Sequence, residues 1–247
     1  MLASLKSELR KILSIRSTYV ILFFAVAMNM LFAFYVTGWQ TKPETLADPN
    51  FLSIQVVSAI SALGLFAGLV AILLVTHEYR YNTIMYTLTT SKSRTQVLLA
   101  KFITVTLFAL IFTAFFGLLS PLLSALAVDI RHLHMAPQTF HVWSLAWHSL
   151  LAGSAYVLYA FVLAMIIRVQ VGSIAALFLI PATVEPLLGL MLKKNAVYLP
   201  FSALNAALGS SPVEQAISAN KAALVVVAYV VVGLVVSWIL FLKRDAN

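Results

Sequence analysis

Residues 77–101 read HEYRYNTIMYTLTTSKSRTQVLLAK and separate two long apolar runs of the chain. Within this stretch the charged side chains are Glu78, Arg80, Lys92, Arg94 and Lys101. Each charge at the centre of a bilayer costs about 2.5–3.5 kcal/mol on insertion scales. The stretch is therefore predicted to lie at a membrane surface, on the side that favours Lys and Arg.

The composition is that of an integral membrane protein. Of the 247 residues, 62% are hydrophobic and 10% are charged, whereas soluble domains are about 45–50% apolar and 25% charged. The formal net charge of +8 matches the Lys and Arg excess of cytoplasmic loops, so no nucleic-acid partner is expected. The chain has no cysteine, which excludes disulfides and thiolate metal sites.

Six apolar runs reach the roughly 18–20 residues that cross a bilayer core. The sequence therefore predicts an all-α membrane protein with six transmembrane helices, at 18–37, 54–76, 101–128, 144–167, 171–192 and 222–242. Eleven of the 16 Lys and Arg residues then lie on the side that holds both termini. This bias predicts that both termini are cytoplasmic.

Residues 1–17 are predicted to form an amphipathic helix in the membrane interface. The apolar side chains recur at three- and four-residue steps, which places them on one helical face: Leu2, Leu5, Leu9, Ile12 and Leu13. Such a helix can lie on an anionic leaflet. It can also serve simply as the cytoplasmic anchor of the first span, and both interpretations stay open.

Two local patterns predict a helix contact and a helix start. Gly64 and Gly68 form a G-x-x-x-G spacing, which lets helix backbones approach closely. That contact lies either within one bundle or between subunits. Ser93 followed by Gln96 matches a capping box, which predicts that a helix begins just after Ser93.

Glu185 is the one acid well inside an apolar span, between Pro181 and Pro186. Intramembrane acids usually face a bundle interior or a cavity, and the prolines free backbone groups that need partners. Two hypotheses stay open. Either Glu185 lines the outer part of a translocation path or gate, or it makes a structural polar contact.

Catalytic and metal-binding patterns are absent or incomplete in the sequence. HEYRY approaches the H-E-x-x-H pattern of zinc proteases, but Tyr81 stands in place of the second His. His132, His134 and His141 are better explained as surface residues than as metal ligands. The sequence has no phosphate-binding P-loop and no G-x-S-x-G nucleophile elbow. We therefore expect neither an enzyme nor a metal site.

Residues 77–100 are interpreted as a cytoplasmic segment that is available to a partner. Ile84, Met85 and Leu88 give a short helix an apolar edge, and such a helix can enter a partner's groove. Asn82 adopts positive φ more readily than most residues, which suits a sharp turn out of the second span. The alternative is an ordinary charged loop.

This arrangement resembles the permease subunits of type-2 (ABC-2 type) ATP-binding-cassette exporters. In that family an acidic and an aromatic residue precede Gly-Thr, a short helix, and a Ser-Arg pair that leads to Lys. The matching positions here are Glu78 and Tyr79, Thr83, Ser93 and Arg94, and Lys101. Asn82 stands in place of the usual Gly, and Lys92 in place of a common Pro. YLPFSALNAAL, at 198–208, is similar to the partly re-entrant external helices of that family.

The resemblance implies a single permease domain over 1–247, with the coupling segment at 77–100 and an external, partly re-entrant segment at 193–221. The coupling residues would be Glu78, Tyr79, Thr83, Arg94 and Lys101. The implied partners are a cytosolic ATPase subunit, which binds ATP and Mg, a second permease copy, identical or different, and membrane lipids. No cofactor is expected on this chain. The exported substrate, whether lipid, peptide or drug-like, is not defined by the sequence.

A permease without a fused ATPase domain is typical of bacteria, so the expected location is the bacterial cell (inner) membrane. The alternative function is that of a membrane protein that confers immunity or senses a peptide without transport. A secondary transporter would be expected to have inverted repeats or several intramembrane ionisable residues. Only Glu185 fits that profile.

Overall fold

The structure, a computed structural model, describes residues 2–86, 93–210 and 217–243. These residues form helices, turns and loops, with no β-strand among them. Six of the helical segments are long and apolar enough to cross a membrane, which supports the predicted all-α architecture with six spans. Lys92 and the central part of the 77–100 segment lie outside the described residues, as does part of 193–221.

We number the helices in chain order. They are α1 (Leu2–Ser14), α2 (Arg16–Leu31, continued by a π-helix at Phe32–Gln40), α3 (Pro43–Leu46), α4 (Phe51–Arg80), α5 (Arg94–Ile130), α6 (Val142–Ile167), α7 (Gln170–Leu179), α8 (Glu185–Leu192), α9 (Pro200–Ala207) and α10 (Ala219–Lys243). A π-helical turn (Ile180–Val184) joins α7 to α8, and a 3-10 helix (Lys193–Tyr198) precedes α9. The fifth span is therefore interrupted at its middle.

Most helices extend beyond the apolar runs from which they were predicted. The largest extension is in α5, whose 37 residues span about 55 Å at 1.5 Å per residue, against a hydrocarbon core of about 30 Å. α5 begins at Arg94 because the Ser93 hydroxyl accepts a hydrogen bond from the Gln96 backbone N–H at 3.2 Å. Hydropathy marks the apolar part of a helix, whereas capping groups set its ends.

α4 and α6 are the most buried spans and pack closely at the centre of the bundle. Gly64 and Gly68 of α4 face Tyr156 and Ala160 of α6. A Cβ atom added at Gly68 would lie 3.1 Å from the Cβ atom of Ala160. The G-x-x-x-G spacing therefore provides a close helix contact inside the chain's own bundle.

The outer spans present large apolar side chains on their outward faces. Examples are Phe23 of α2, Ile111 of α5 and Leu224 of α10, all of which are exposed. Apolar surfaces of this extent mark membrane or protein contacts, because monomeric soluble proteins rarely expose large contiguous apolar patches. The outward faces are those of a multi-pass membrane protein.

α1 packs against α4 and α5, and its apolar residues do not all share one environment. Ile12 is buried together with Glu8, whereas Leu9 and Leu13 are exposed. α1 is helical as predicted, and its location in the membrane interface stays a prediction. Ile12 joins the protein core, while the two leucines stay on the outer surface.

Gly153 of α6 lies at a crossing that has no room for a side chain. A Cβ atom added there would lie 2.5 Å from Thr113 Cγ2. Gly153→Ala should therefore lower the free energy of unfolding by about 1–3 kcal/mol, as overpacking does. Thermal unfolding of the purified variant in one detergent measures this effect.

Gly117→Ala is the matched control, because an added Cβ atom there meets only Ile60 Cδ1, at 4.0 Å. It should be neutral or stabilising, since Ala has the higher helix propensity. Equal melting temperatures for Gly153→Ala and Gly117→Ala would contradict this packing.

Candidate functional site

Four charged side chains meet at one end of the bundle and form what we call the ion-pair cluster: Glu8, Lys11, Glu78 and Lys101. Lys101 Nζ lies 3.0 Å from Glu8 Oε2 and 2.8 Å from Glu78 Oε1. Lys11 Nζ lies 2.6 Å from Glu8 Oε1 and also contacts Glu78 Oε1. Each lysine therefore bridges both acids.

The ion-pair cluster is inside the protein rather than on its surface. The exposed fraction of the side chain is 2% for Lys101, 3% for Glu8 and 6% for Glu78, against 28% for Lys11. Taking an ion out of water costs several kcal/mol even after relaxation. Because the charges of the two acids and two lysines cancel, burying them together costs less free energy than burying each ion alone.

Three helices supply the ion-pair cluster. Glu78 lies near the C-terminus of α4, and Lys101 lies about two turns into α5. Glu8 and Lys11 are three residues apart in α1 and therefore share a face. A helix C-terminus carries partial negative charge, which disfavours an acid such as Glu78. The two lysine ammonium groups offset that repulsion.

Lys11 is the most exposed member of the ion-pair cluster, and its protonation follows from its neighbours. Burial lowers the pKa of Lys11, but the carboxylates of Glu78 and Glu8 raise it by more, so the pKa lies above its ordinary value. The stabilisation from protonated Lys11 is therefore fully present at neutral pH and is lost only as the pH rises through that raised pKa.

The chain leaves α4 through a tight turn beside Glu78. The Thr83 backbone N–H donates to the Glu78 carbonyl at 2.9 Å, and Asn82 has a φ of 53°. The positive φ confirms the predicted turn, since Asn tolerates the left-handed region better than most residues. Ile84, just beyond the turn, is buried in the core and fixes the turn to the bundle.

Three side chains around this turn stand out from the bundle and form what we call the exposed turn surface: Tyr81, Met85 and Tyr86. Each has about half or more of its surface exposed. Two are aromatic and one is the adaptable Met, residue types that are enriched where proteins bind one another. The exposed turn surface lies directly after the helix that carries Glu78.

Two arginines hold the C-terminal end of α10 at the same end of the bundle. Arg94 Nη1 donates to the Leu242 carbonyl at 3.2 Å, and Arg168 Nη2 donates to the Leu240 carbonyl at 3.3 Å. Cations at the last carbonyls complement the partial negative charge of a helix C-terminus. The Arg168 guanidinium also lies over the Tyr79 ring, 5.1 Å from its centroid.

The structure divides the five residues that were predicted to couple the chain to a partner. Glu78 and Lys101 belong to the ion-pair cluster, and Thr83 closes the turn through its backbone. Arg94 binds the C-terminal end of α10 directly, and Tyr79 contacts Arg168, which does the same. Glu78 and Lys101 are buried within the protein, where α1 and the neighbouring spans cover them, and the location of the stretch at a membrane surface stays a prediction.

The sequence interpretation named neither Glu8 nor Lys11 among the site residues. A local signal existed, since Glu8 lies four residues before Ile12 and both therefore face the same way on the helix. The partners, however, are distant in sequence. Lys11 is 67 residues from Glu78, and Glu8 is 93 residues from Lys101. Helical periodicity carries no information on such pairs.

Glu185 is buried at the start of α8 and binds the start of α9. Its Oε1 accepts a hydrogen bond from the Phe201 N–H at 2.7 Å. Its Oε2 accepts from the Ser202 N–H and the Ser202 hydroxyl, both at 2.8 Å. The carboxylate thus meets the partial positive charge of a helix N-terminus. This is a structural polar contact; a role in a path or gate stays a prediction.

Among the described residues, no three His, Asp or Glu side chains gather in a group that could hold a metal ion. His77 and Tyr81 of the incomplete zinc-protease pattern pack edge to face, with ring centroids 5.7 Å apart. The pattern forms an aromatic contact at the end of α4.

Glu185→Gln should weaken the contact between α8 and α9. The side-chain amide would place an NH2 group against N–H donors, and each lost bond to the charged carboxylate costs about 1.5–3 kcal/mol. Ser202→Ala should cost less, because both backbone bonds remain. Unfolding in detergent measures both, and an unchanged stability of Glu185→Gln would argue against the capping role.

Lys101→Met should lower the free energy of unfolding by about 3–5 kcal/mol, because it leaves two buried acids with one lysine. Adding Glu8→Gln restores the charge balance, so the double variant should be more stable than Lys101→Met alone. Lys6→Met is the control, since Lys6 is exposed on the same helix as Glu8. Thermal unfolding compares the three, and a double variant no more stable than Lys101→Met would refute the charge-balance argument.

Comparison with known families covers nearly the whole chain. The family described as protein of unknown function, DUF2705, matches residues 12–246. No curated protein matches the chain. Because the family match extends over far more than half of the residues, the chain belongs to the DUF2705 family.

Proposed function

We propose that the chain is the membrane-spanning permease subunit of an ATP-driven exporter of the ABC-2 type, and that a separate ATPase subunit supplies the energy. One observation carries the proposal. The ion-pair cluster joins α1, α4 and α5 directly beside the exposed turn surface. A segment that receives force from a partner needs a rigid connection of this kind to the membrane spans.

The ion-pair cluster couples the motions of α1, α4 and α5. Lys101 of α5 binds both Glu8 of α1 and Glu78 of α4. Separating these helices would leave a buried charge without its partner, which costs about 3–5 kcal/mol. A displacement of the exposed turn surface is therefore passed to the three helices instead of being absorbed in the turn.

The arginine contacts extend this connection to the last span. Arg168 touches both the Tyr79 ring of α4 and the Leu240 carbonyl of α10. Arg94, at the start of α5, binds the Leu242 carbonyl. Motion at the end of α4 or α5 therefore acts on α10 through charged groups and not only through apolar packing.

Energy comes from the partner in this proposal, since the sequence contains no P-loop. The ATPase binds ATP and Mg, this chain has no catalytic role, and a second permease copy, identical or different, completes the transport path.

The end with the ion-pair cluster faces the cytoplasm of a bacterial cell, and both termini lie there. α1 lies along the inner leaflet, with Lys6 and Arg10 exposed to anionic lipids.

Met85→Glu tests the partner contact without altering the ion-pair cluster. Met85 is 49% exposed, and a carboxylate placed in an apolar contact must lose its hydration. The amount of ATPase that co-purifies with the tagged chain should fall about tenfold or more, which corresponds to a loss of about 1.4 kcal/mol of binding free energy. Glu78→Ala would be a poorer test, since it also breaks the ion-pair cluster.

Met191→Glu is the matched control, because Met191 is exposed at the far end of the interrupted fifth span. A P-loop ATPase should co-purify from the native membrane with the unaltered chain and with Met191→Glu. A chain that purifies alone in every case would contradict the exporter proposal and favour an immunity or sensing role.

A further inference from the structure

A groove between the start of α5 and the end of α10 has apolar walls and a volume of about 360 Å³, which is within the range of small-molecule sites. We call it the α5–α10 groove and define it by Thr95, Leu99, Phe102, Leu234, Val235 and Trp238. We propose that it holds one acyl chain of an anionic phospholipid, whose phosphate group binds the cationic side chains at the mouth of the groove. The site shares no residue with the ion-pair cluster and does not depend on an ATPase partner.

The α5–α10 groove opens toward the bilayer rather than into the protein core. Leu99, Val235 and Trp238 are each between 42% and 46% exposed, and both helices are membrane spans by length and composition. From Thr95 to Phe102, α5 rises about 10 Å at 1.5 Å per residue. The groove therefore runs from the end of the bundle into the span, as the upper part of an acyl chain does below its head group.

One polar contact marks the outer end of the α5–α10 groove. The Trp238 indole N–H donates to the Thr95 hydroxyl at 3.4 Å, which joins the two walls. Tryptophan is enriched where the hydrocarbon core meets the head groups. This contact therefore places the mouth of the groove at the level of lipid head groups, with the apolar walls beneath it.

Two cationic side chains stand at this mouth. Arg94 directly precedes Thr95, and its Nη1 donates to the Leu242 carbonyl at 3.2 Å. Lys243 directly follows Leu242 and is exposed at the end of α10. An arginine carries five N–H donors, enough to bind a carbonyl oxygen and a phosphate oxygen together. The partial positive charge at the start of α5 adds to this attraction for an anion.

The apolar walls and the cationic mouth together define the occupant. Lys and Arg beside a membrane span attract anionic head groups, and the walls accept a hydrocarbon chain. Phosphatidylcholine fits less well, because Arg94 and Lys243 repel the choline cation that accompanies its phosphate. An apolar helix of another protein would make no use of the two cations. An anionic phospholipid uses both parts of the site.

The test is quenching of Trp238 fluorescence by brominated phospholipids in the reconstituted full chain. The other three tryptophans are replaced by Trp39→Phe, Trp143→Phe and Trp147→Phe, so Trp238 alone reports. Phosphatidylglycerol brominated in the upper part of one acyl chain is compared with equally brominated phosphatidylcholine, each diluted in unlabelled phosphatidylcholine vesicles. The phosphatidylglycerol should quench at an about tenfold lower mole fraction, since two cations favour it. Equal quenching by the two lipids would overturn the proposal.

Lys243→Gln tests the phosphate contact. It should lower the preference for phosphatidylglycerol about fivefold, which corresponds to about 1 kcal/mol for one cation near the membrane surface. Lys221→Gln is the matched control, because Lys221 is exposed at the opposite end of α10, and it should keep the full preference. An unchanged preference in Lys243→Gln would refute the phosphate contact.

Val235→Phe tests the acyl chain, because it fills the α5–α10 groove without changing any charge. The preference for phosphatidylglycerol should be largely lost. Val232→Phe is the matched control, since Val232 is exposed on the same helix but does not line the groove. A preference that survives Val235→Phe would reduce the effect to charge attraction at the surface and overturn the acyl-chain site.

Thermal unfolding in one detergent is a second measurement, which uses the chain with all its tryptophans. A ligand that binds the folded state stabilises it, so phosphatidylglycerol should raise the melting temperature more than the same mole fraction of phosphatidylcholine. The difference should shrink in Lys243→Gln and persist in Lys221→Gln. Equal stabilisation of the unaltered chain by the two lipids would contradict the proposal.

Discussion

The charge balance of the ion-pair cluster is the constraint on which the rest of the structure depends. Glu78 ends the most buried part of the bundle, and Lys101 lies inside the longest helix, so neither can remain unpaired. α1 supplies the other two charges through Glu8 and Lys11. The amino-terminal helix is therefore a part of the bundle, although its outer leucines also suit a membrane surface.

The architecture could be predicted from the sequence because it follows from local physics. Runs of apolar residues give the six spans, a side-chain hydroxyl at Ser93 gives a helix start, and the backbone tolerance of Asn82 gives a turn. The helix ends were less predictable. The extension of α5 to Arg94 depends on the Ser93 cap, which does not change the hydropathy of the span.

The candidate site could be predicted only in part because its members are far apart in the sequence. Glu78 and Lys101 stand out as charges beside apolar runs. Glu8, in contrast, looks like a solvated acid on an amphipathic helix, and only its contact with Lys101, 93 residues away, gives it a role. The partners of Glu185 were hidden for another reason, since they include backbone N–H groups of Phe201 and Ser202, which no side-chain pattern reveals.

Two polar residues in the spans show how structure changes the search for function. Glu185 is conspicuous in the sequence because it is an acid, yet both of its oxygens accept hydrogen bonds from α9. Asn29 is inconspicuous because it carries no charge, yet its amide nitrogen has no partner within the described residues. Where water is absent, a satisfied group is explained by the fold, whereas an unsatisfied one requires something further. By this criterion the fold explains Glu185, whereas Asn29 is one of several buried polar groups of the described residues whose side chains have an atom without a partner.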